Sequence, residues 1–281
     1  MSALAARYPR LLGRTVGYEF RKRIQFRTGF FVREVLYGVV EPLVMLFVYA
    51  ALYRSADAGD GGAGASLGGW TFDEIVQYVA GLMVVRKLVF HNRGLELANE
   101  IFEGRVTKYL VMPFRFFVLL QGRFVQYTLL QIFSAAAVWG IGYAAFTERW
   151  IVPVSGTATI QALTLVLMGS YCCFLLYFVI NALAFWLDVV WSLLVMAWFV
   201  ISFTGGALVP VSQMPEPFFR VFSAFFPYWT ITAPIELLMG RLDASDFQRG
   251  FLVLALQLLL LELLRRVVWR RGLARYVGAG M

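Results

Sequence analysis

Residues 158–211 read ATIQALTLVLMGSYCCFLLYFVINALAFWLDVVWSLLVMAWFVISFTGGALVPV, and nearly all of them are apolar. Gln161, Asn181 and Asp188 are the strongly polar exceptions. A helix rises ~1.5 Å per residue, so about 20 residues cross the ~30 Å hydrocarbon layer of a bilayer. The stretch is far too long for one crossing. It parses as two helices, 158–187 and 189–209, with a tight turn near Asp188; Gly205, Gly206 and Pro210 close the second. Lipid is therefore the solvent, and the class is an all-α integral membrane protein.

Composition points the same way. Of 281 residues, 60% are hydrophobic and 15% charged, where an ordinary soluble domain has about 25% charged. Mean hydropathy is +0.71. A soluble domain of this size cannot hide so much apolar surface. The net charge of +8 is a topology signal here rather than a mark of nucleic-acid binding, because Lys and Arg collect on the cytoplasmic side of membrane proteins. The two cysteines, Cys172 and Cys173, are adjacent and offer neither a disulfide nor metal-ligand spacing.

Working outward, four further spans fall at 35–53, 71–91, 116–146 and 249–268. The second has a short apolar centre, Ile75 to Val85, with Asp73 and Glu74 at one end and Arg86, Lys87 and His91 at the other. Residues 1–34 interleave eight basic side chains with Leu, Phe and Tyr, the pattern of an amphipathic helix lying among lipid headgroups. No secretory signal peptide opens the chain. Residues 56–69 are a glycine-rich loop. In 210–248, Pro210, Pro215, Pro217, Pro227 and Pro234 break regular helix, yet the stretch is too apolar for a free loop. A re-entrant helical pair with its backbone buried in protein solves that conflict. The whole chain, 1–281, reads as a single transmembrane domain.

Charge sets the orientation. Twenty of the 25 Lys and Arg lie in 1–34, 86–123 and the 265–275 tail. The other five, Arg54, Arg149, Arg220, Arg241 and Arg249, share the opposite loops with eight acids. Both termini are then cytoplasmic with six spans between them.

Several chemistries are missing. His91 is the single histidine, which rules out a His-rich zinc site. No Gly-x-Ser-x-Gly elbow occurs, and no Lys follows a Gly as a phosphate-binding loop requires. ATP energy must come from a partner. The acids Glu41, Asp188, Glu236 and Glu262 sit near expected interfaces and read as structural or capping groups; Glu262 has Arg265 on its own helix face. A membrane enzyme lacks clustered catalytic groups. A non-transporting scaffold or assembly subunit needs none and remains the alternative to a transporter.

The segment 96–108 alternates charge with the apolar anchors Leu97, Ile101, Phe102 and Val106. On a helix Leu97 and Ile101 stack, Glu96, Glu100 and Glu103 form a neighbouring stripe, and Gly104 permits a hard stop. Such a segment suits a groove on a soluble partner.

The sequence Phe72–Asp73–Glu74–Ile75–Val76–Gln77–Tyr78, then Arg93–Gly94–Leu95–Glu96, Glu100–Ile101–Phe102–Glu103–Gly104–Arg105 and Tyr109–Leu110–Val111–Met112–Pro113, resembles the second span and cytoplasmic coupling segment of type-2 ABC exporter permeases. The tail Gly272–Leu273–Ala274–Arg275–Tyr276–Val277–Gly278 looks like the closing motif of the branch that includes drug and viologen exporters. Pro227–Tyr228 and Pro234–Ile235–Glu236–Leu237–Leu238–Met239–Gly240 look like its external re-entrant region. The resemblance implies an inner-membrane permease for ATP-driven export of a hydrophobic or amphiphilic substrate. This chain would hold no cofactor; ATP and magnesium would sit in a separate ABC ATPase, present in two copies. A second permease would complete a homodimer or heterodimer. The implied coupling residues are Glu96, Glu100, Ile101, Phe102, Glu103, Gly104, Arg105 and Lys108. Arg21, Lys22 and Arg23 would touch the ATPase or lipid headgroups, and Met83, Phe199 and Phe203 would line a path between two permeases.

Overall fold

The computed structural model describes residues 41–60, 69–90, 94–111, 116–145 and 153–276. The expected interfacial helix 1–34 with Arg21, Lys22 and Arg23, and His91, lie outside the described residues. Regular structure among the described residues is helical: α1 Glu41–Asp60, α2 Phe72–Val89, α3 Glu96–Phe102, α4 Val106–Leu110, α5 Phe116–Ala145, α6 Gly156–Ala182, α7 Trp191–Thr204, α8 Glu216–Phe222, α9 Phe226–Thr230, α10 Thr232–Leu238 and α11 Ala244–Arg275.

Two stretches are long and apolar enough to cross a bilayer on their own, Phe116–Ala144 and Gly156–Phe185. The pair Glu216–Phe222 and Phe226–Leu238, bent by 79°, is a third candidate if it counts as one span. The bend falls in the proline-rich stretch 210–248. The turn near Asp188 is also present, as a 3-10 turn over Leu183–Phe185 followed by α7.

Three boundaries differ from the sequence expectation. α7 has 14 residues, about 21 Å, and is shorter than 189–209. It stops because the chain turns at Gly206, whose φ of 84° suits glycine, with Thr232 packed against it. α11 runs unbroken for 32 residues, well beyond 249–268, because Asp243 caps it and its charged flanks remain good helix formers. α1 continues to Asp60, into the stretch read as loop, since Ala51, Ala56 and Ala58 favour helix.

The centre is α6, which packs against α2, α9, α10 and α11. Its start is fixed by Ser155, whose hydroxyl accepts the Ala158 N–H at 3.1 Å. α6 and α11 run parallel: Gly169 and Gly250 meet Thr230 and Trp229 at one level, and Phe185 meets Gly272 further on. α2 runs with them, since Ser170 donates to Leu88 O at 2.7 Å and Tyr78 to Gly206 O at 2.7 Å. α1, α5 and α7 run the opposite way. Tyr53 in the second half of α1 donates to Trp70 O at 2.6 Å; Phe116 at the start of α5 stacks on Trp269; Val190 before α7 joins the same cluster as Ala184.

The bend between α8 and α9 carries its own polar solution. Gln257 on α11 accepts the Phe226 N–H at 2.7 Å and donates to Ala224 O at 2.8 Å. That satisfies backbone groups freed by the break, the condition for irregular backbone in an apolar setting.

Candidate functional site

The segment 94–111 forms two short helices, α3 and α4, on either side of Gly104. That glycine has φ 68°, the hard stop its sequence position suggested. α3 begins after Leu95, which offers no side-chain cap, so its first N–H groups need partners from elsewhere. Asn181 in the last turn of α6 supplies one. Its Oδ1 accepts the Ala98 N–H at 3.1 Å. Its Nδ2 donates to Gly94 O at 3.2 Å and to Tyr177 O at 2.9 Å.

Apolar contact completes the dock. Leu97, Ala98, Ile101, Val106 and Tyr109 are buried together with Phe178, Ala182 and Ala184. Tyr109 lies against Phe116 at 4.5 Å between ring centroids, and Phe116 stacks on Trp269 of α11 at 5.5 Å. The hydroxyls of Thr107 and Tyr276 are 3.2 Å apart. The segment thus rests on the shared end of α6 and α11.

Phe102 behaves differently from its expected role as an anchor. It is 44% exposed. One residue past Ile101 it has turned about 100° away from the buried arc of Leu97, Ala98 and Ile101. Val111 is exposed as well.

The acidic stripe is also not a bare negative face. Glu96 meets Arg123 at 3.1 Å, Glu100 meets Lys108 at 2.9 Å and Arg105 at 3.5 Å, and Glu103 pairs with Arg105. Partial burial works to raise the Glu100 pKa, but the Lys108 hydrogen bond and the Lys108 and Arg105 charges outweigh it and hold the carboxyl below its ordinary range. The hydrogen bond that Lys108 donates to Glu100 in turn raises the Lys108 pKa. The exposed surface of the segment is a balanced charge mosaic around Phe102.

The expected path residues separate into two groups. Phe199 and Phe203 stack along α7 at 6.2 Å and are 56% and 41% exposed in the single chain. Phe203 also meets Phe222 of the bent pair edge-on at 5.7 Å. Met83 is half-buried and packs against the main core.

The acids resolve as follows. Glu262 binds Arg265 through both oxygens at 2.6 and 2.7 Å, and Arg266 at 2.8 Å. The Arg265 guanidinium lies 3.7 Å from the centre of the Phe117 ring. Asp188 is exposed in its turn. Glu236 is buried, with the Tyr228 hydroxyl 3.4 Å away. The side chain of Glu41 is outside the described residues.

Sequence reasoning passed over Asn181 and Gln257. The available signal was a lone amide inside an apolar run, since a buried amide needs partners that only a break in a neighbouring helix can offer.

Residues 39–280 match the family model described as ABC-2 family transporter protein. The chain therefore belongs to the ABC-2 transporter family and is a type-2 ABC permease. This membrane domain is the permease type and not an ATP-binding domain, and the family implies an ABC ATPase as partner. Comparison with curated proteins gives no match.

Proposed function

We propose that this chain is the transmembrane subunit of an ATP-driven exporter. It moves a hydrophobic or amphiphilic substrate, a drug or lipid for example, out of the cytoplasm or the inner leaflet. ATP and magnesium bind a separate ABC ATPase in two copies, and a second permease, identical or related, completes the path. The chain crosses the inner membrane six times with both termini in the cytoplasm. The alternating directions of α1, α2, α5, α6, α7 and α11 support six crossings, and the charge distribution supports the orientation. α8 to α10 form the external re-entrant pair in this reading.

The observation that carries the proposal is the docked segment 94–111. Its apolar arc is buried against α6, while Phe102, Glu103 and Arg105 remain on the surface for the ATPase. Arg21, Lys22 and Arg23 would add contacts to the ATPase or to headgroups. Phe199 and Phe203 would face the second permease, where a path between subunits would run; Met83 is the third lining residue proposed.

The test is reconstitution with its ABC ATPase partner, in vesicles with the ATPase outside. ATP should drive a fluorescent hydrophobic cation into the lumen, and a Walker A lysine variant of the ATPase should not. A stable complex that moves neither this probe nor a labelled lipid would favour the scaffold reading instead.

A further inference from the structure

We infer that Asn181 is the positioning residue that carries movement of the 94–111 segment into α6, and that α6 delivers it to the bent pair at its midpoint. The inference rests on the reading above that this segment receives the ATPase stroke. It adds which helix transmits the stroke and through which side chain.

The geometry supports a rigid link at the near end. All three Asn181 hydrogen bonds go to backbone groups, two in the segment and one in its own helix. The bond to Tyr177 O, four residues back, fixes the rotamer, so the amide is not free to follow the segment alone. The residue is 4% exposed, and water therefore does not compete for these bonds. Ala98 and Ala182 are both fully buried at the same contact, so small side chains let the two backbones approach closely. A displacement of α3 must move α6 or break this clamp.

The contact with the bent pair is equally tight. α6 runs from Gly156 to Ala182 without interruption. Gly169 lies about 18 Å up the helix from Asn181 at ~1.5 Å per residue. There it seats Thr230, and a Cβ on Gly169 would stand 2.5 Å from the Thr230 Cβ. Helix shifts in switching proteins are on the order of 1–2 Å. A shift of that size presses on Thr230, because no side chain on Gly169 separates it from the helix and close-packed contacts are not continuously deformable. Ser170, next along, ties the same level to Leu88 of α2.

The chemistry demands an amide. Asparagine offers an acceptor for Ala98 and a donor for Gly94 and Tyr177 from one short side chain. Aspartate keeps the acceptor and sets a carboxylate against two carbonyls. Leucine matches the size and removes both functions.

The experiment uses the permease–ATPase complex in lipid nanodiscs. An environment-sensitive label sits at Val221→Cys, exposed on α8. The readout is its change on trapping with ATP, magnesium and vanadate, beside complex assembly and basal ATP hydrolysis. In Asn181→Leu the label response per assembled complex is expected to fall about fivefold or more, the scale of ordinary inter-site coupling. Asn181→Asp, which keeps the size and the acceptor and loses the donor, is expected to show a reduced response in the complex that assembles. A full wild-type response in Asn181→Leu overturns the inference and leaves the docking reading standing. If Asn181→Leu fails to assemble, a full response in Asn181→Asp overturns it. A wild-type chain that does not bind the ATPase overturns both readings together.

Discussion

Thr230 fills the space where a side chain on Gly169 would stand: a Cβ there would lie 2.5 Å from the Thr230 Cβ. The bent pair is thus seated in α6 by the absence of one methyl group. Gly205 at the C-cap of α7, beside Ile231, and Gly250 on α11, beside Trp229, repeat the arrangement: a Cβ on Gly205 would lie 2.6 Å from the Ile231 Cδ1, and one on Gly250 would overlap the Trp229 ring. Three helices therefore hold the pair through glycine contacts.

The first prediction follows from that seat. Gly169→Val should lower stability by about 1–3 kcal/mol through overpacking. Gly140→Ala on α5, where nothing lies within 4 Å, should be neutral or stabilising by about 0.4–1 kcal/mol. Thermal unfolding of both variants in the same detergent checks this.

Gln257→Leu should cost more than its surface burial suggests. It strips the Phe226 N–H and the Ala224 carbonyl of their partner at the bend. An unsatisfied buried group costs about 1–3 kcal/mol. Thermal unfolding gives the loss, and amide exchange should place the loosening at residues 224–226.

The ion pair between Glu100 and Lys108 gives the segment a pH profile. Glu100 titrates below its unfolded value, so its contribution is complete above about pH 4.3 and is lost as pH falls through the lower folded value. Lys108 titrates above its unfolded value, so its contribution is complete below about pH 10.4 and is lost as pH rises further. Protection of the 98–109 amides, corrected for intrinsic exchange rate, should be flat between and fall at both ends. Glu100→Gln should remove the acid limb, and added salt should weaken the plateau because Lys108 is exposed.

The turn near Asp188, the helix stop at Gly104, the Glu262–Arg265 pair and a break among the 210–248 prolines were all legible in sequence. Each depends on neighbours a few residues away or on one residue's own dihedral freedom. The rest depends on partners far along the chain. Glu96 meets Arg123 from another helix, and Glu100 meets Lys108 only because the chain reverses at Gly104. The acidic stripe therefore looks unpaired in sequence and is neutralised in the fold. Phe102 looked like an anchor by apolarity alone; its one-residue offset from Ile101 decides that it faces out.

That correction changes how charge reversal at the segment should be read. Glu100→Lys with Glu103→Lys would set two new cations beside Arg105 and Lys108 and break pairs within the chain itself. Loss of coupling in that variant would mix a damaged segment with a damaged partner contact. Phe102→Ser is the cleaner change. It should leave stability within about 0.5 kcal/mol of wild type, as for ordinary surface sites, and weaken ATPase binding in a pull-down.

Orientation can be read by cysteine labelling in intact cells. Cysteines at Gly62, Thr147 and Gln248 should react with an impermeant maleimide from outside. One at Arg271, exposed near the end of α11, should react only after permeabilisation. External reaction at Arg271 would contradict six crossings with a cytoplasmic C-terminus.

The most direct test of the account is a photo-crosslinking amino acid placed at Phe102 in the living cell, with Phe133, exposed on α5, as the control position. The account predicts a covalent adduct at position 102 whose partner peptides, identified by mass spectrometry, carry a Walker A loop and an ABC signature, and no such adduct at 133. Crosslinks from position 102 to lipid alone, with the ATPase present at normal levels, would contradict it.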